Sequence, residues 1–129
     1  MNKKVTWFTN AYIVTQDSKR RVVWGHIRIV DNRIDKIART LPKIRSKNIK
    51  VINLNGLTLI PGFVQAHTHL CQSLFKNQAD DLELLDWLSR KIWVMEAAHD
   101  EETLYTSALM GIYELLASGT TCALDMGTV

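Results

Sequence analysis

Two histidines two residues apart, His67 and His69, close the stretch Pro61-Gly62-Phe63-Val64-Gln65-Ala66-His67-Thr68-His69-Leu70. Read as a strand, it sends Phe63, Gln65, His67 and His69 to one face and Val64, Ala66 and Thr68 to the other, because strand side chains alternate. Residues i and i+2 lie about 6–7 Å apart along a strand. Two imidazole nitrogens can therefore converge on one ion at the strand's carboxyl end. Neutral imidazole suits zinc, iron and other borderline metals. A lone His-x-His is equally a pair of polar residues at a strand end. The context favours the metal: the pair ends an apolar strand, follows Pro-Gly and opens a strand–helix unit, where barrel enzymes keep their sites.

The elements around the pair follow from patterning. Val5–Val14 is rich in β-branched and aromatic residues. Val22–Val30 and Arg33–Ile37 alternate apolar and polar residues about the turn signal Asp31-Asn32, a hairpin with one half-buried face. Residues 39–49 are polar and basic, and read as loop. Lys50–Leu54 and Leu57–Ile60 flank Asn55-Gly56, a strong turn signal. Residues 1–60 therefore predict a small antiparallel sheet unit, and Pro61-Gly62 marks the boundary with residues 61–129. Beyond the histidines, Asp80 with Glu83 has capping-box spacing, and Leu84, Leu85, Leu88 and Ile92 recur at helical spacing. A second helix starts at Asp100, with Glu101 and Glu102 in its first turn and an apolar face of Leu104, Ala108, Ile112, Leu115 and Leu116. Gly119 sits at its C-terminal cap, and Thr120–Met126 is a second buried strand. Strand, helices, strand is a βαβ unit.

The chain has 129 residues, of which 47% are hydrophobic and 22% charged, so it is globular in composition. The net charge of +3 hides a division. Residues 1–58 carry +10 and residues 59–129 carry −7. The basic residues alternate with Val and Ile and carry no glycine-rich or aromatic RNA-binding motif, which argues against nucleic acid and for two units with different surfaces. Apolar runs fall short of the ~20 residues a membrane helix needs. The N-terminus has no apolar signal core. Two cysteines, Cys71 and Cys122, make no disulfide framework, so a cytoplasmic location is expected.

PGFVQAHTHL, preceded by INLNGLTLI, resembles the start of the catalytic barrel in the amidohydrolase superfamily. LCQSLFKNQADDLELLDWLSRKIWVMEAAHD and LASGTTCALDMGTV extend the match. They are similar to the branch of 5′-deoxyadenosine, S-adenosylhomocysteine and methylthioadenosine deaminases, with triazine chlorohydrolases and guanine deaminases as cousins. The likeness is diffuse in residues 1–50 and specific in 57–129. It implies an α/β fold: the first βα units of a (β/α)8 TIM barrel behind a small antiparallel β-sandwich unit. It also implies one divalent metal, zinc or iron, with His67 and His69 as two of its ligands, and hydrolytic deamination of a purine nucleoside by metal-activated water. Glu96 falls where such deaminases hydrogen-bond the ribose hydroxyls; its plainer alternative is a solvated helix-end glutamate. A homo-oligomer is expected of the full-length enzyme. The family often has Arg-Gly where this chain has Lys76-Asn77, and commonly Pro where it has Val94.

A (β/α)8 barrel needs roughly 250 residues, and residues 61–129 hold only its opening. The remaining His and Asp ligands and the proton-shuttling groups of the family have no counterpart here, so no catalytic acid or base is assigned within the chain. It is expected to be an N-terminal portion, inactive alone. The alternatives are hydrolytic dechlorination or another superfamily reaction on a heterocycle, and a non-catalytic remnant or interaction module. Among other residues, His99 is expected to be a loop histidine, His26 a surface residue and Cys71 a small apolar filler. Cys122 is expected in the core, Asp125 in a structural hydrogen bond or behind the metal ligands, and Trp87 and Trp93 in helix packing.

Overall fold

The computed structural model describes residues 3–44, 46, 48–79 and 81–127. The chain divides into two compact units at the Pro61–Gly62 bond.

The first unit is one five-stranded sheet. Strands β1 (Val5–Val14), β2 (Val22–Val30) and β3 (Arg33–Ala38) form an antiparallel meander. β4 (Ile49–Asn53) and β5 (Thr58–Leu59) both lie along the other edge of β1, parallel to it. The sheet is therefore mixed, which corrects the expected antiparallel unit, and no second sheet layer forms among the described residues of this unit. Asn55-Gly56 does make the tight turn its residues signal, with Leu57 N–H donating to Leu54 C=O at 2.9 Å. The turn does not reverse the chain into a hairpin. It is a jog in one edge strand, which leaves β1 at Thr9 and rejoins it at Tyr12.

A bulge in β1 sets the core. Between Phe8 and Ala11 the register slips against β2, with Asn10 at φ +57, a backbone region asparagine tolerates. The slip exchanges the two faces, so Phe8 before it and Ala11 and Ile13 after it pack with Ile27, Ile29, Leu54 and Leu59. It also turns His26 inward. That residue is only 8% exposed, and its Nδ1 accepts the Asn10 N–H at 3.2 Å, so the expected surface position is wrong.

The second unit is the expected βαβ. β6 (Phe63–Thr68) and β7 (Thr120–Asp125) are parallel. Between them run a 3-10 turn (Leu70–Phe75), α1 (Leu84–Trp87), a π turn (Leu88–Ile92), α2 (Trp93–Ala97) and α3 (Glu101–Ala117). Asp80 lies outside the described residues. Its expected partner Glu83 is extended and precedes α1, so the helix starts three residues later than that spacing predicts. The π turn inserts an extra residue into the helical repeat. It throws the Leu84–Ile92 stripe out of phase: Ile92 is buried, whereas Leu85 is 75% exposed. Trp87 is half-buried and Trp93 exposed. Cys122 is also exposed, against the expected core position, because the faces of β6 and β7 have little cover among the described residues. None of the described helices is long and apolar enough to cross a membrane.

α3 begins as expected. The Asp100 side chain accepts the Thr103 N–H at 2.8 Å, and the Asp100 N–H donates to Thr103 Oγ1 at 3.0 Å. The Thr103 hydroxyl, donating to Asp100 Oδ1 at 2.6 Å, and then the Thr103 N–H hold the Asp100 carboxyl below its ordinary 3.8. The depressed value means that the cap's contribution is complete above about pH 4 and fades as pH falls through the folded-state value. Acidification through that range is expected to lower hydrogen-exchange protection, relative to the intrinsic rate at each pH, in the first turn of α3. Asp100→Asn, which caps without titrating, should flatten the response. At the other end Gly119 takes φ +88, its N–H donates to Leu116 C=O at 3.1 Å, and β7 starts at the next residue.

The buried line of α3 is Ser107 and Gly111, with Leu104, Ala108 and Leu115 beside it, while Ile112 and Leu116 are exposed. Small residues sit there because α3 lies directly against the 3-10 turn. Ser107 Oγ is 3.0 Å from the Leu70 carbonyl and 2.7 Å from that of Cys71, and accepts the Leu74 N–H at 3.3 Å. A Cβ on Gly111 would stand 2.4 Å from Ser73 Oγ and 2.9 Å from Leu70 Cδ2. Helix propensity favours alanine by about 1 kcal/mol, but overpacking costs about 1–3 kcal/mol. The clash is the larger effect. Gly111→Ala is expected to speed hydrogen exchange across both α3 and the 3-10 turn; propensity alone would slow it.

Candidate metal and substrate site

His67 is the penultimate residue of β6, and His69 is the first residue beyond its end. The expected alternation holds, and the two rings face each other with centroids 5.1 Å apart. Their Nε2 atoms are 3.1 Å apart. Two nitrogens at 2.0–2.1 Å from one tetrahedral zinc stand about 3.3–3.4 Å apart, so the pair has the bite of two ligands of one ion. Two neutral rings sharing one proton would meet the same distance. A second observation distinguishes the rings. His69 Nδ1 is buried and has no hydrogen-bond partner among the described residues. A ligating imidazole carries its proton on the other nitrogen and passes it to an acceptor, so this donor set fits a metal ion with one outer acceptor still to be supplied. No third His, Cys, Asp or Glu joins the two into a ligand cluster among the described residues.

The residues after His69 are held firmly. Leu70 N–H donates to Asp125 Oδ1 at 3.0 Å, and Met126 N–H to Thr68 C=O at 2.8 Å, which ties the end of β7 to the end of β6. Asp125 thus takes the structural role that was one of its two expected ones. His99 is the loop histidine expected, but not an idle one. Its Nε2 is 2.8 Å from the Cys71 carbonyl, its Nδ1 3.2 Å from Thr103 Oγ1, and its ring stacks on Phe75 at 4.9 Å.

Glu96, at the end of α2, is half-buried and points back at the 3-10 turn. Its Oε1 accepts from Gln72 Nε2 at 2.8 Å and from Cys71 Sγ at 3.5 Å. It is not the solvated helix-end glutamate of the plainer alternative. Burial, with the Glu96 carboxylate beside it, pushes the Cys71 thiol up to about 11. Cys71 is buried, as the small apolar role expected of it requires, and its thiol also donates to Glu96. Gln72 carries no signal in the sequence, since a single glutamine in a loop has no spacing to read. A cleft of ≈ 560 Å³ is lined by His67, His69, Gln72, Lys76 and Glu114, among others, and Lys76 and Glu114 form an ion pair across it. Asn77 holds φ +62, a region open to glycine first and asparagine next.

A parallel βαβ unit thus carries an imidazole pair at the carboxyl end of its first strand. The chain belongs to the amidohydrolase family, which residues 58–129 match. It is 40% identical over 118 residues to a 5-methylthioadenosine/S-adenosylhomocysteine deaminase of Caldicellulosiruptor saccharolyticus, covering 90% of this chain and 28% of that protein. It is 50% identical over 93 residues to a 5′-deoxyadenosine deaminase of Methanobrevibacter smithii, covering 71% of this chain and 21% of that protein. The chain thus spans about a quarter of the length of these relatives. Among solved structures, an atrazine chlorohydrolase from Arthrobacter aurescens TC1 complexed with zinc shares the fold, with TM-score 0.80 and 20% identity over 93% of this chain and 28% of that one. An amidohydrolase from an environmental sample of the Sargasso Sea has TM-score 0.71 and 26% identity over 95% of this chain and 26% of that one.

Proposed function

We propose that this chain is the metal-bearing opening of an aminohydrolase that converts an adenosine-type nucleoside to its inosine analogue and ammonia. The nucleoside is 5′-deoxyadenosine, S-adenosylhomocysteine or methylthioadenosine. The observation that carries this is the 3.1 Å approach of His67 and His69 Nε2 at the carboxyl end of β6, with the Glu96 carboxylate fixed against the turn that follows. The deaminase names of the relatives support the choice of reaction and substrate.

Residues 61–129 would be the first βα units of a (β/α)8 barrel, and residues 1–60 part of its small β unit. His67 and His69 would hold one divalent ion, zinc in first place and iron as the alternative, with the remaining ligands coming from outside these residues. When bound, such an ion would lower the pKa of its water towards neutrality. The chain's own residues have other tasks. The imidazole pair presents two neutral nitrogens to the ion. The Leu70–Asp125 bond keeps the strand ends from moving apart. Glu96 offers its carboxylate to the two ribose hydroxyls, since a carboxylate accepts well from a vicinal diol. Water takes the place of the amino group on the purine, and ammonia leaves.

Two imidazoles fall short of the three protein ligands that catalytic zinc requires. The 129-residue chain with excess zinc is therefore expected to release no ammonia from 5′-deoxyadenosine above a zinc-only control. The complete enzyme carrying the same residues should release it. Turnover by the short chain that disappears in His67→Ala would overturn the division of ligands proposed here.

A further inference from the structure

We infer that Gln72 is a positioning residue for Glu96, setting which carboxylate oxygen meets the nucleoside. This rests on the assignment of Glu96 to the ribose. Both donors that reach Glu96, Gln72 Nε2 at 2.8 Å and Cys71 Sγ at 3.5 Å, end on the same oxygen, Oε1. Oε2 receives no hydrogen bond from the described residues. The carboxylate is thus held by one oxygen and offered by the other.

Gln72 is well placed for this task because its backbone is fixed from three sides. Its own N–H donates to His69 C=O at 3.0 Å, so it stands one tight turn from the second imidazole. The carbonyl of its neighbour Cys71 takes Ser107 Oγ at 2.7 Å and His99 Nε2 at 2.8 Å. Gly111 lets α3 approach closely enough to press on the turn. Glu96, by contrast, ends a helix interrupted by a π turn and is followed by the loop before α3. A long acidic side chain on such a helix has many rotamers, and the amide of Gln72 selects one. The same glutamine lines the cleft that holds His67 and His69.

The test compares two nucleosides on the complete, zinc-loaded enzyme: 5′-deoxyadenosine and an analogue lacking both ribose hydroxyls. Gln72→Met keeps the length and removes the donor. It is expected to raise KM for 5′-deoxyadenosine about tenfold, in the range of one hydrogen bond to a charged group, with kcat within twofold. The analogue's KM should not change. Gln72→Glu, which sets a second carboxylate against Glu96, should raise KM further. Zinc content should be unchanged in both. If Glu96→Ala abolishes the preference for the hydroxylated nucleoside and Gln72→Met leaves it intact, the ribose assignment stands and the positioning role is overturned. An equal loss on both nucleosides in Gln72→Met also overturns it, because Gln72 would then act elsewhere. If the unmodified enzyme does not distinguish the two nucleosides, the ribose assignment of Glu96 fails and this proposal fails with it.

Discussion

His67→Ala, and His69→Ala likewise, is expected to strip the complete enzyme of its metal and lower kcat/KM by about 10³-fold or more, well past the roughly 10–100-fold typical for a residue that merely supports a ligand. The size follows from the geometry. The Nε2 atoms are 3.1 Å apart, so losing either leaves a single imidazole from this strand, and no other cluster of metal-binding side chains among the described residues can replace it. Metal analysis and turnover on the same preparation check the result. Full metal occupancy with turnover intact would mean that the pair only shares a proton at a strand end.

Glu96→Ala is expected to raise KM for 5′-deoxyadenosine and to lower kcat/KM by about 10–100-fold, since hydrogen bonds to a charged group contribute about 1.5–3 kcal/mol each. The loss should be much smaller for a nucleoside without ribose hydroxyls. Gln72 and Cys71 would be left without the carboxylate they hold. Steady-state kinetics on the two substrates give the answer. An unchanged KM for 5′-deoxyadenosine would remove the ribose from the account of Glu96.

Much of the arrangement was legible from short-range chemistry. β1 and β2 have the bounds their β-branched runs mark, because strand propensity and alternation are local properties. The facing of His67 and His69 follows from the two-residue period alone. The cap at Asp100 and the stop at Gly119 are single-residue signals, and both hold. Most of the misreadings share a cause, in that partners distant in the chain decided them. Asn55-Gly56 makes the turn it signals, yet which strand its flanks pair with depended on β1, more than forty residues away. His26 was turned inward by a bulge in β1, on a different strand. The Leu84–Ile92 stripe fits 3.6 residues per turn, and a π turn breaks that period locally, without any glycine or proline to announce it. On α3 the apolar pattern marks Leu104, Ala108 and Leu115, which are half-buried, but the close approach of the 3-10 turn puts Ser107 and Gly111 at the centre of the packed face and leaves Ile112 and Leu116 exposed.

The site was legible to the same depth. The imidazole pair and the position of Glu96 could be read from the chain. What holds Glu96 could not, since the Gln72 and Cys71 contacts join residues 24 and 25 positions apart across a turn of no sequence pattern. His99 likewise acts through a backbone carbonyl, which leaves no trace in side-chain types.

The most direct measurement is product analysis of the complete, zinc-loaded enzyme, given 5′-deoxyadenosine, S-adenosylhomocysteine, methylthioadenosine and a chlorinated triazine in parallel. The account predicts one equivalent of ammonia and one of the inosine analogue from at least one nucleoside, with no chloride from the triazine. Chloride release with all three nucleosides untouched would contradict it and make the enzyme a hydrolytic dechlorinase.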